Sequence, residues 1–235
     1  MLCSLGELKL TLNDFPYAIE DGIFILGDDC DLTVGKDIKE AIGLNDTAIE
    51  FEITSNRPDC LSVIGLARES AVSYNTAFKL EEPVVKGCGG DVNDYVSVEV
   101  LDEKLCPRYC ARAVKNVKIE PSPLWLRSRL RAMGVRPINN IVDISNYVLM
   151  ETGQPLHTFD ADKIKGKKVI VKCLEEGTPF ITLDGVERKL TNTNLMICNE
   201  EEPMCIAGVF GGAESGVTEE TTNIFIESAY FNPTS

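Results

Sequence analysis

Alternating apolar and polar positions predict strands near the start of the chain. Residues 48–56 place Ile49, Phe51 and Ile53 on one face, with charged or hydroxyl side chains on the other. A period of two is typical of a half-buried strand. The apolar run 22–26 also has strand length, and the turn signals around it indicate a small piece of β-structure.

Further strands are predicted in the rest of the chain. Residues 95–100 alternate regularly, and residues 108–117 read as a strand that buries either its Tyr109 side or its Cys110 side. From Lys167 onward, apolar runs of strand length are separated by turn residues. This last region therefore predicts a sandwich or a curved sheet with helices packed on it.

Apolar residues at helical spacing predict three helices and one shorter turn. The helices cover residues 60–75 with Asp59 as the N-cap, residues 124–133 after a proline-rich start, and residues 140–150. Residues 37–42 fit a single helical turn before a glycine. Residues 81–94 are acidic and glycine-rich and read as a linker at a domain boundary.

Composition narrows the class of protein. Hydrophobic residues make up 44% of the 235 residues and charged residues 26%, as in soluble globular proteins. No apolar run has the length of a membrane span, and the N-terminus lacks a secretory pattern. Nine cysteines without a CxxC pair and a single histidine give no zinc-ligand spacing, so reduced, buried thiols in a cytoplasmic protein are expected.

The net charge of −14 argues against a domain that grips nucleic acid over a wide surface, because phosphate contacts need a dense basic face. A local basic patch is one interpretation of four closely spaced arginines, and a solvated helix face is the other. The four are Arg127, Arg129, Arg131 and Arg136.

His157 is the first candidate for chemistry. It lies in the stretch 137–160, where an apolar helix leads through a Gly-Gln-Pro bend to the histidine. A lone histidine is usually a packed or surface side chain. Here the rigid bend favours a role in orienting a water or a polar substrate. No spacing indicates a Ser-His-Asp or Cys-His nucleophile.

Two downstream features could complete a pocket. Glycines at 208, 211 and 212 would let backbone N–H groups approach a ligand, although a tight turn between two strands explains them equally well. Glu227 alternates with strongly apolar neighbours. Its carboxylate is either on a solvated face or desolvated and aimed at a specific donor.

Short motifs follow one another in order along nearly the whole chain. They are Met1-Leu-Cys-Ser4, Ser55-Asn-Arg-Pro-Asp-Cys60, Gly65-Leu-Ala-Arg68, Arg136-Pro-Ile-Asn-Asn140, Val142-Asp143, Asn146-Tyr-Val148, Gly153-Gln-Pro-Leu-His157, Phe159-Asp160, Gly208 with Gly211-Gly212, Ile226-Glu-Ser-Ala229 and Phe231-Asn-Pro233. Together these motifs resemble the beta subunit of bacterial phenylalanyl-tRNA synthetase.

The resemblance implies an α+β fold in several parts. Residues 1–47 correspond to the tail of an OB-type tRNA-binding domain, residues 48–86 to half of a small split α+β domain, and residues 87–94 to a linker. Residues 95–235 correspond to a β-rich, sandwich-like editing domain with packed helices, truncated at its C-terminal end. The chain would then be a fragment, and aminoacylation with ATP and magnesium would belong to the full enzyme only.

The resemblance also implies a site that hydrolyses tyrosine wrongly attached to the phenylalanine tRNA, without metal or cofactor. His157 matches the family's histidine near the ester, and Glu227 matches the glutamate that reads the tyrosine hydroxyl. Pro155, Asn146 and Gly208 match pocket residues. The expected partners are the 3′ end of the tRNA and the synthetase alpha subunit, with no membrane and no DNA.

Two other functions fit the same residues. In one, the pocket binds an aminoacyl group or RNA but turns nothing over. In the other, the chain is a scaffold that docks the alpha subunit. A deacylation assay with Tyr-tRNA separates hydrolysis from both alternatives, and stabilisation by tyrosine separates a binding module from a scaffold.

Overall fold

The computed structural model describes residues 2–87 and 90–234. The chain divides into two compact units, each built from two separate stretches of sequence. The first unit contains Met1–Ser70 and Glu120–Gly153, and the second contains Ala71–Ile119 and Gln154–Ser235. The finer boundaries at 47, 86 and 94 stay predictions, and Cys88 in the expected linker lies outside the described residues.

The helices form close to where the sequence predicts them. They are α1 (Ile38–Ala41), α2 (Val63–Ser73), α3 (Leu124–Ala132) and α4 (Asn140–Thr152). The prediction of Asp59 as the N-cap of α2 is wrong. Ser62 caps the helix instead, since its hydroxyl accepts a hydrogen bond from the Gly65 N–H at 3.0 Å. The Asp59 carboxylate is held by the Arg57 guanidinium at 2.8 Å and fixes the turn before the helix.

The first unit has its own apolar cluster around Leu5, Phe15 and Ile42. The four closely spaced arginines form neither a shared basic patch nor a uniformly solvated helix face, so both interpretations are wrong. Arg127 is buried and ion-paired with Asp29. The Arg131 guanidinium lies 4.4 Å from the centre of the Phe15 ring. Two of the four arginines therefore take part in packing.

The strands predicted for residues 22–26 and 48–56 do not form. Both segments are irregular, and Ile49 and Phe51 are 72% and 52% exposed. A strand is stable only when a neighbouring strand completes its hydrogen bonds. The Phe24 N–H does donate to the Cys3 carbonyl at 2.8 Å, but a single bond is not a ladder. Alternation of apolar and polar residues was therefore not sufficient to predict a strand in either segment.

The second unit contains ten strands among its described residues. They are β1 (Ser97–Val100), β2 (Arg108–Lys115), β3 (His157–Asp160), β4 (Lys168–Cys173), β5 (Pro179–Ile181), β6 (Glu187–Lys189), β7 (Leu195–Cys198), β8 (Pro203–Ile206), β9 (Phe210–Gly211) and β10 (Asn223–Tyr230). The predictions of strands at 95–100, at 108–117 and from Lys167 onward are confirmed.

The strands form a five-stranded sheet in the order β1-β4-β7-β8-β9, a three-stranded sheet in the order β2-β10-β3, and a β5-β6 hairpin. Within the larger sheet only β1 and β4 run parallel. One buried cluster unites both sheets, with Val169 and Ile197 from the larger and Phe159 and Phe225 from the smaller. A core shared by two sheets is the arrangement of a sandwich, and the α+β class is confirmed.

Strand β2 buries its Tyr109 side. Tyr109, Ala111 and Ala113 are half-buried, whereas Cys110 and Arg112 are exposed. The choice that alternation left open is thereby settled, and the phenol of Tyr109 lies in the interior of the sandwich.

Among the described residues, no helix combines the length and the apolar character needed to cross a membrane. Their eight cysteines are free thiols, in agreement with the prediction of reduced cysteines.

Candidate functional site

A cavity of about 570 Å³ opens in the second unit. One wall comes from the bend before β3 and from the last part of β10, and the other from the glycine-rich turn between β8 and β9. Four of the predicted site residues line it: Pro155, His157, Gly208 and Glu227. The cavity therefore brings together residues that are far apart in the sequence.

The pairing of β3 with β10 places His157 next to Glu227. In this antiparallel pair Glu227 lies directly opposite His157, and Phe225 lies opposite Phe159. Side chains of directly opposite residues project from the same face of a sheet. The register thus fixes the histidine and the glutamate side by side on the face that meets the core.

Glu227 is a buried carboxylate that faces the cavity. It is 5% exposed, so the desolvated interpretation of this residue is correct. The Tyr109 hydroxyl donates to its Oε2 at 2.8 Å, while Oε1 has no hydrogen-bond donor anywhere in the described chain. Burial raises the pKa of Glu227 to about 7, and the hydrogen bond from Tyr109 acts in the opposite direction.

Two thiols lie near this carboxylate but are poor nucleophiles. Burial raises the pKa of Cys106 to about 11, and the charge of Glu227 adds to the effect. The pKa of Cys205, which lines the cavity, is raised by the same two causes. Both thiols are protonated at neutral pH, and the thiolate is the reactive form.

His157 presents an unpaired ring nitrogen. Its Nε2 is buried and has no hydrogen-bond partner among the described residues. The ring packs edge-on against Phe159, with centroids 4.6 Å apart. Burial lowers the pKa of the imidazole, so the ring is neutral at pH 7. A neutral, unpaired imidazole at a cavity wall can hold a water or a polar group of a ligand.

The glycine-rich turn forms a close-packed wall. Gly208 has a φ of +68°, and a Cβ there would lie 3.0 Å from the Phe231 ring. A Cβ on Gly211 would lie 2.9 Å from Cε1 of His157. The turn connects β8 and β9 and leaves room beside the histidine, which agrees with the interpretation as a tight turn. The approach of its backbone N–H groups to a ligand stays a prediction.

Asn146 lies on α4 in the first unit, where it is half-buried. Its assignment to the pocket stays a prediction.

Two further residues support the site but were not among the predicted site residues. Gln154 lines the cavity and its side-chain amide donates to the Ala229 carbonyl at 3.2 Å, tying the bend to β10. Tyr109 was missed because alternation did not decide which side of β2 is buried.

One cluster of potential metal ligands is present in the described part of the first unit. Asp59, Cys60 and Glu69 bring one ligand atom each within 4.8 Å of one another. The Arg57 guanidinium, however, contacts the Asp59 and Glu69 carboxylates at 2.8 and 2.6 Å. These carboxylates already have a cation as their partner.

The sequence profile of a protein family described as the B3/4 domain matches residues 105–235. The chain is 48% identical over 231 residues to the phenylalanine–tRNA ligase beta subunit of Geobacillus kaustophilus. The matched region covers 98% of this chain and 28% of that protein. It is also 48% identical over 233 residues to the subunit of the same name from Geobacter metallireducens, covering 99% and 28%.

Among solved structures, the chain is similar to an N-terminal fragment of the phenylalanyl-tRNA synthetase beta subunit from Pyrococcus horikoshii. The identity is 18% and the TM-score 0.45, with 76% of this chain and 54% of that chain covered. The chain spans less than a third of the length of these two curated relatives, 28% in each case.

Proposed function

Because the chain belongs to the B3/4 domain family and is similar along its length to phenylalanine–tRNA ligase beta subunits, we propose that its cavity hydrolyses the ester between tyrosine and the phenylalanine tRNA. The observation that carries this proposal is the buried Glu227, whose Oε1 has no donor within the described residues and whose side chain lines the cavity.

A buried acceptor solves the chemical problem that this reaction poses. Tyrosine differs from phenylalanine by one hydroxyl, and an apolar pocket separates the two poorly. A site that accepts a hydrogen bond from the hydroxyl leaves its own polar group unpaired with the wrong ligand, and such sites discriminate by about 10⁴-fold or more. Glu227 Oε1 is an acceptor of this kind.

His157 serves the other end of the ligand in this proposal. Its neutral imidazole holds a water beside the ester. The water oxygen bonds to the carbonyl carbon, the bond from that carbon to the ribose oxygen breaks, and the ribose oxygen takes up one proton of the water to become a hydroxyl. The ester is already activated by its ribose, so a well-positioned water is sufficient. The protonated thiols of Cys106 and Cys205 are not used.

The charge of the cavity fits a terminal adenosine better than a phosphate chain. None of the described residues that line it is a lysine or an arginine. Wide phosphate contacts need many such residues, and the net charge of the chain is −14. We therefore assign only the 3′ end of the tRNA to this cavity. The rest of the tRNA, the alpha subunit and aminoacylation with ATP and magnesium are assigned to the complete assembly.

The test is a deacylation assay with Tyr-tRNA(Phe). The protein should release tyrosine, and Glu227→Ala should slow that release by about 100-fold, the loss expected when a charged acceptor of a substrate hydroxyl is removed. Glu187→Ala is the matched control, because Glu187 is an exposed strand glutamate. Circular dichroism verifies that each variant is folded.

Unchanged deacylation in Glu227→Ala would contradict the role of this carboxylate. Stabilisation of the wild-type protein by tyrosine, without any release of tyrosine from tRNA, would instead identify a binding module.

A further inference from the structure

Tyr109 lies behind Glu227 rather than in the cavity. In the pairing of β2 with β10 it is opposite Ala229, two residues from Glu227 along β10. This diagonal position lets the long side chain reach the carboxylate, and the hydroxyl donates to Oε2 at 2.8 Å. The ring itself packs against the core cluster that both sheets share, and Tyr109 is not among the described residues that line the cavity.

A carboxylate that reads a hydroxyl needs a fixed orientation and a negative charge. With no protein donor, a buried carboxylate can present either oxygen to the cavity, and it takes up a proton readily because burial disfavours its charge. A hydrogen-bond donor on one oxygen fixes which oxygen faces the cavity. The same donor also opposes protonation of the carboxylate.

From this geometry we infer that Tyr109 is a positioning residue for hydroxyl recognition: it holds Oε2 of Glu227 so that Oε1 alone is presented to the ligand. The inference rests on the proposed function, because it assigns a supporting residue to the same site. It extends that function by placing specificity in a side chain that does not touch the ligand.

The other titratable groups near Glu227 do not replace this donor. His157 faces it from β3, Cys205 approaches from β8, and Cys106 approaches from the segment before β2. In the described chain only Tyr109 donates a hydrogen bond to Glu227. Burial and the neighbouring carboxylate raise the pKa of the Tyr109 phenol well above its ordinary value, so the hydroxyl keeps its proton.

Removal of the phenol should therefore change the titration of Glu227. Burial raises the pKa of Glu227 to about 7, and the Tyr109 hydrogen bond lowers it. Loss of a hydrogen bond to a charged group is expected to move the pKa upward by about one unit. At pH 7 a larger share of Glu227 would then be protonated and would be a weaker acceptor.

The experiment compares the wild-type protein with the Tyr109→Phe variant. Tyr74→Phe is the matched control, because the Tyr74 side chain is 82% exposed. The carboxyl pKa is followed by carbon-13 NMR in glutamate-labelled protein, with Glu227→Gln identifying the signal. Hydrolysis of Tyr-tRNA(Phe) and Phe-tRNA(Phe) is measured from pH 5.5 to 8.5 (about three units around the pKa of Glu227).

In Tyr109→Phe the carboxyl pKa should rise by about one unit, and hydrolysis of the tyrosyl ester at pH 7 should fall about tenfold with the phenylalanyl ester unaffected. Tyr74→Phe should match the wild type. Should Tyr109→Phe not fold, 3-fluorotyrosine at position 109, a stronger donor, should lower the carboxyl pKa.

Unchanged carboxyl pKa and unchanged discrimination in a folded Tyr109→Phe protein would overturn the inference. A purely packing role for the ring would give the same unchanged titration. If the pKa moves as expected but no form of the protein releases tyrosine, the positioning role stands and the proposed hydrolysis fails.

Discussion

Asp143 in the first unit and Glu227 in the second are both buried carboxylates, yet their surroundings differ. Asp143 is 0% exposed, and each of its oxygens has a donor: the Ser122 hydroxyl at 2.6 Å and the Ile138 N–H at 2.7 Å. Glu227 is 5% exposed and has a single donor, the Tyr109 hydroxyl. Its second oxygen is left for whatever enters the cavity.

The comparison separates a structural carboxylate from a ligand-binding one. Burial raises the pKa of both groups. For Asp143, two hydrogen bonds and the nearby Arg127 charge act against the effect of burial. For Glu227 only the Tyr109 hydrogen bond does so. A buried carboxylate with incomplete hydrogen bonding that lines a cavity is therefore a stronger functional candidate than one that is merely buried.

The largest expected effect is on folding. Asp143→Ala should lower the free energy of unfolding by about 4 kcal/mol, because it leaves the Ser122 hydroxyl and the Ile138 N–H unpaired and removes a negative charge near the buried Arg127. Urea denaturation measures the change, with Asp162→Ala, an exposed aspartate, as a comparison. A loss below about 1 kcal/mol would remove the contrast between the two carboxylates.

A second effect concerns the pH dependence of stability. The pKa of Glu227 is raised from 4.5 in the unfolded chain to about 7. A raised pKa gives a stabilisation that is fully present below pH 4.5 and is lost as the pH rises through 7. The shift corresponds to roughly 3 kcal/mol at about 1.4 kcal/mol per unit.

Denaturation of wild type and Glu227→Gln at several pH values tests this expectation. The unfolding free energy of the wild type relative to the variant should fall by that amount between pH 4.5 and 8, since glutamine does not titrate. A constant difference across this range would mean that Glu227 is ionised in the fold with little penalty.

A third effect separates the role of His157 in hydrolysis from the role of Glu227 in tyrosine binding. His157→Ala should slow release of tyrosine from the tRNA about 100-fold, the usual scale for a group that positions a reacting water. Tyrosine should still stabilise the variant against heat, because Glu227 is unchanged. Loss of that stabilisation together with normal turnover of bound substrate would contradict the assignment.

Much of the fold could be predicted from local patterns. Helices α3 and α4 and the strands from Lys167 onward have regular periods and clear turn residues, so their positions agree with the structure. Residues 22–26 and 48–56 have strand-like patterns too. They fail because a strand depends on a partner, and no local pattern reports whether a partner is present.

Local patterns were equally limited in predicting the candidate site. Alternation placed Glu227 among apolar neighbours but could not say whether its face of the strand is buried. The pairing of Glu227 with His157 and the reach of Tyr109 across β10 depend on strand register between distant segments. Family resemblance supplied the roles of His157 and Glu227, whereas the free oxygen and its supporting phenol emerged only from the three-dimensional arrangement.

The most direct test is a crystal structure of the protein with a non-hydrolysable tyrosyl ester mimic, 3′-tyrosylamino-3′-deoxyadenosine. The phenol oxygen of the bound tyrosine should lie within about 3 Å of Glu227 Oε1, a hydrogen-bonding distance, with the Tyr109 hydroxyl still on Oε2. A tyrosine ring bound elsewhere, or bound in the cavity with Oε1 unoccupied, would contradict the role given to this carboxylate.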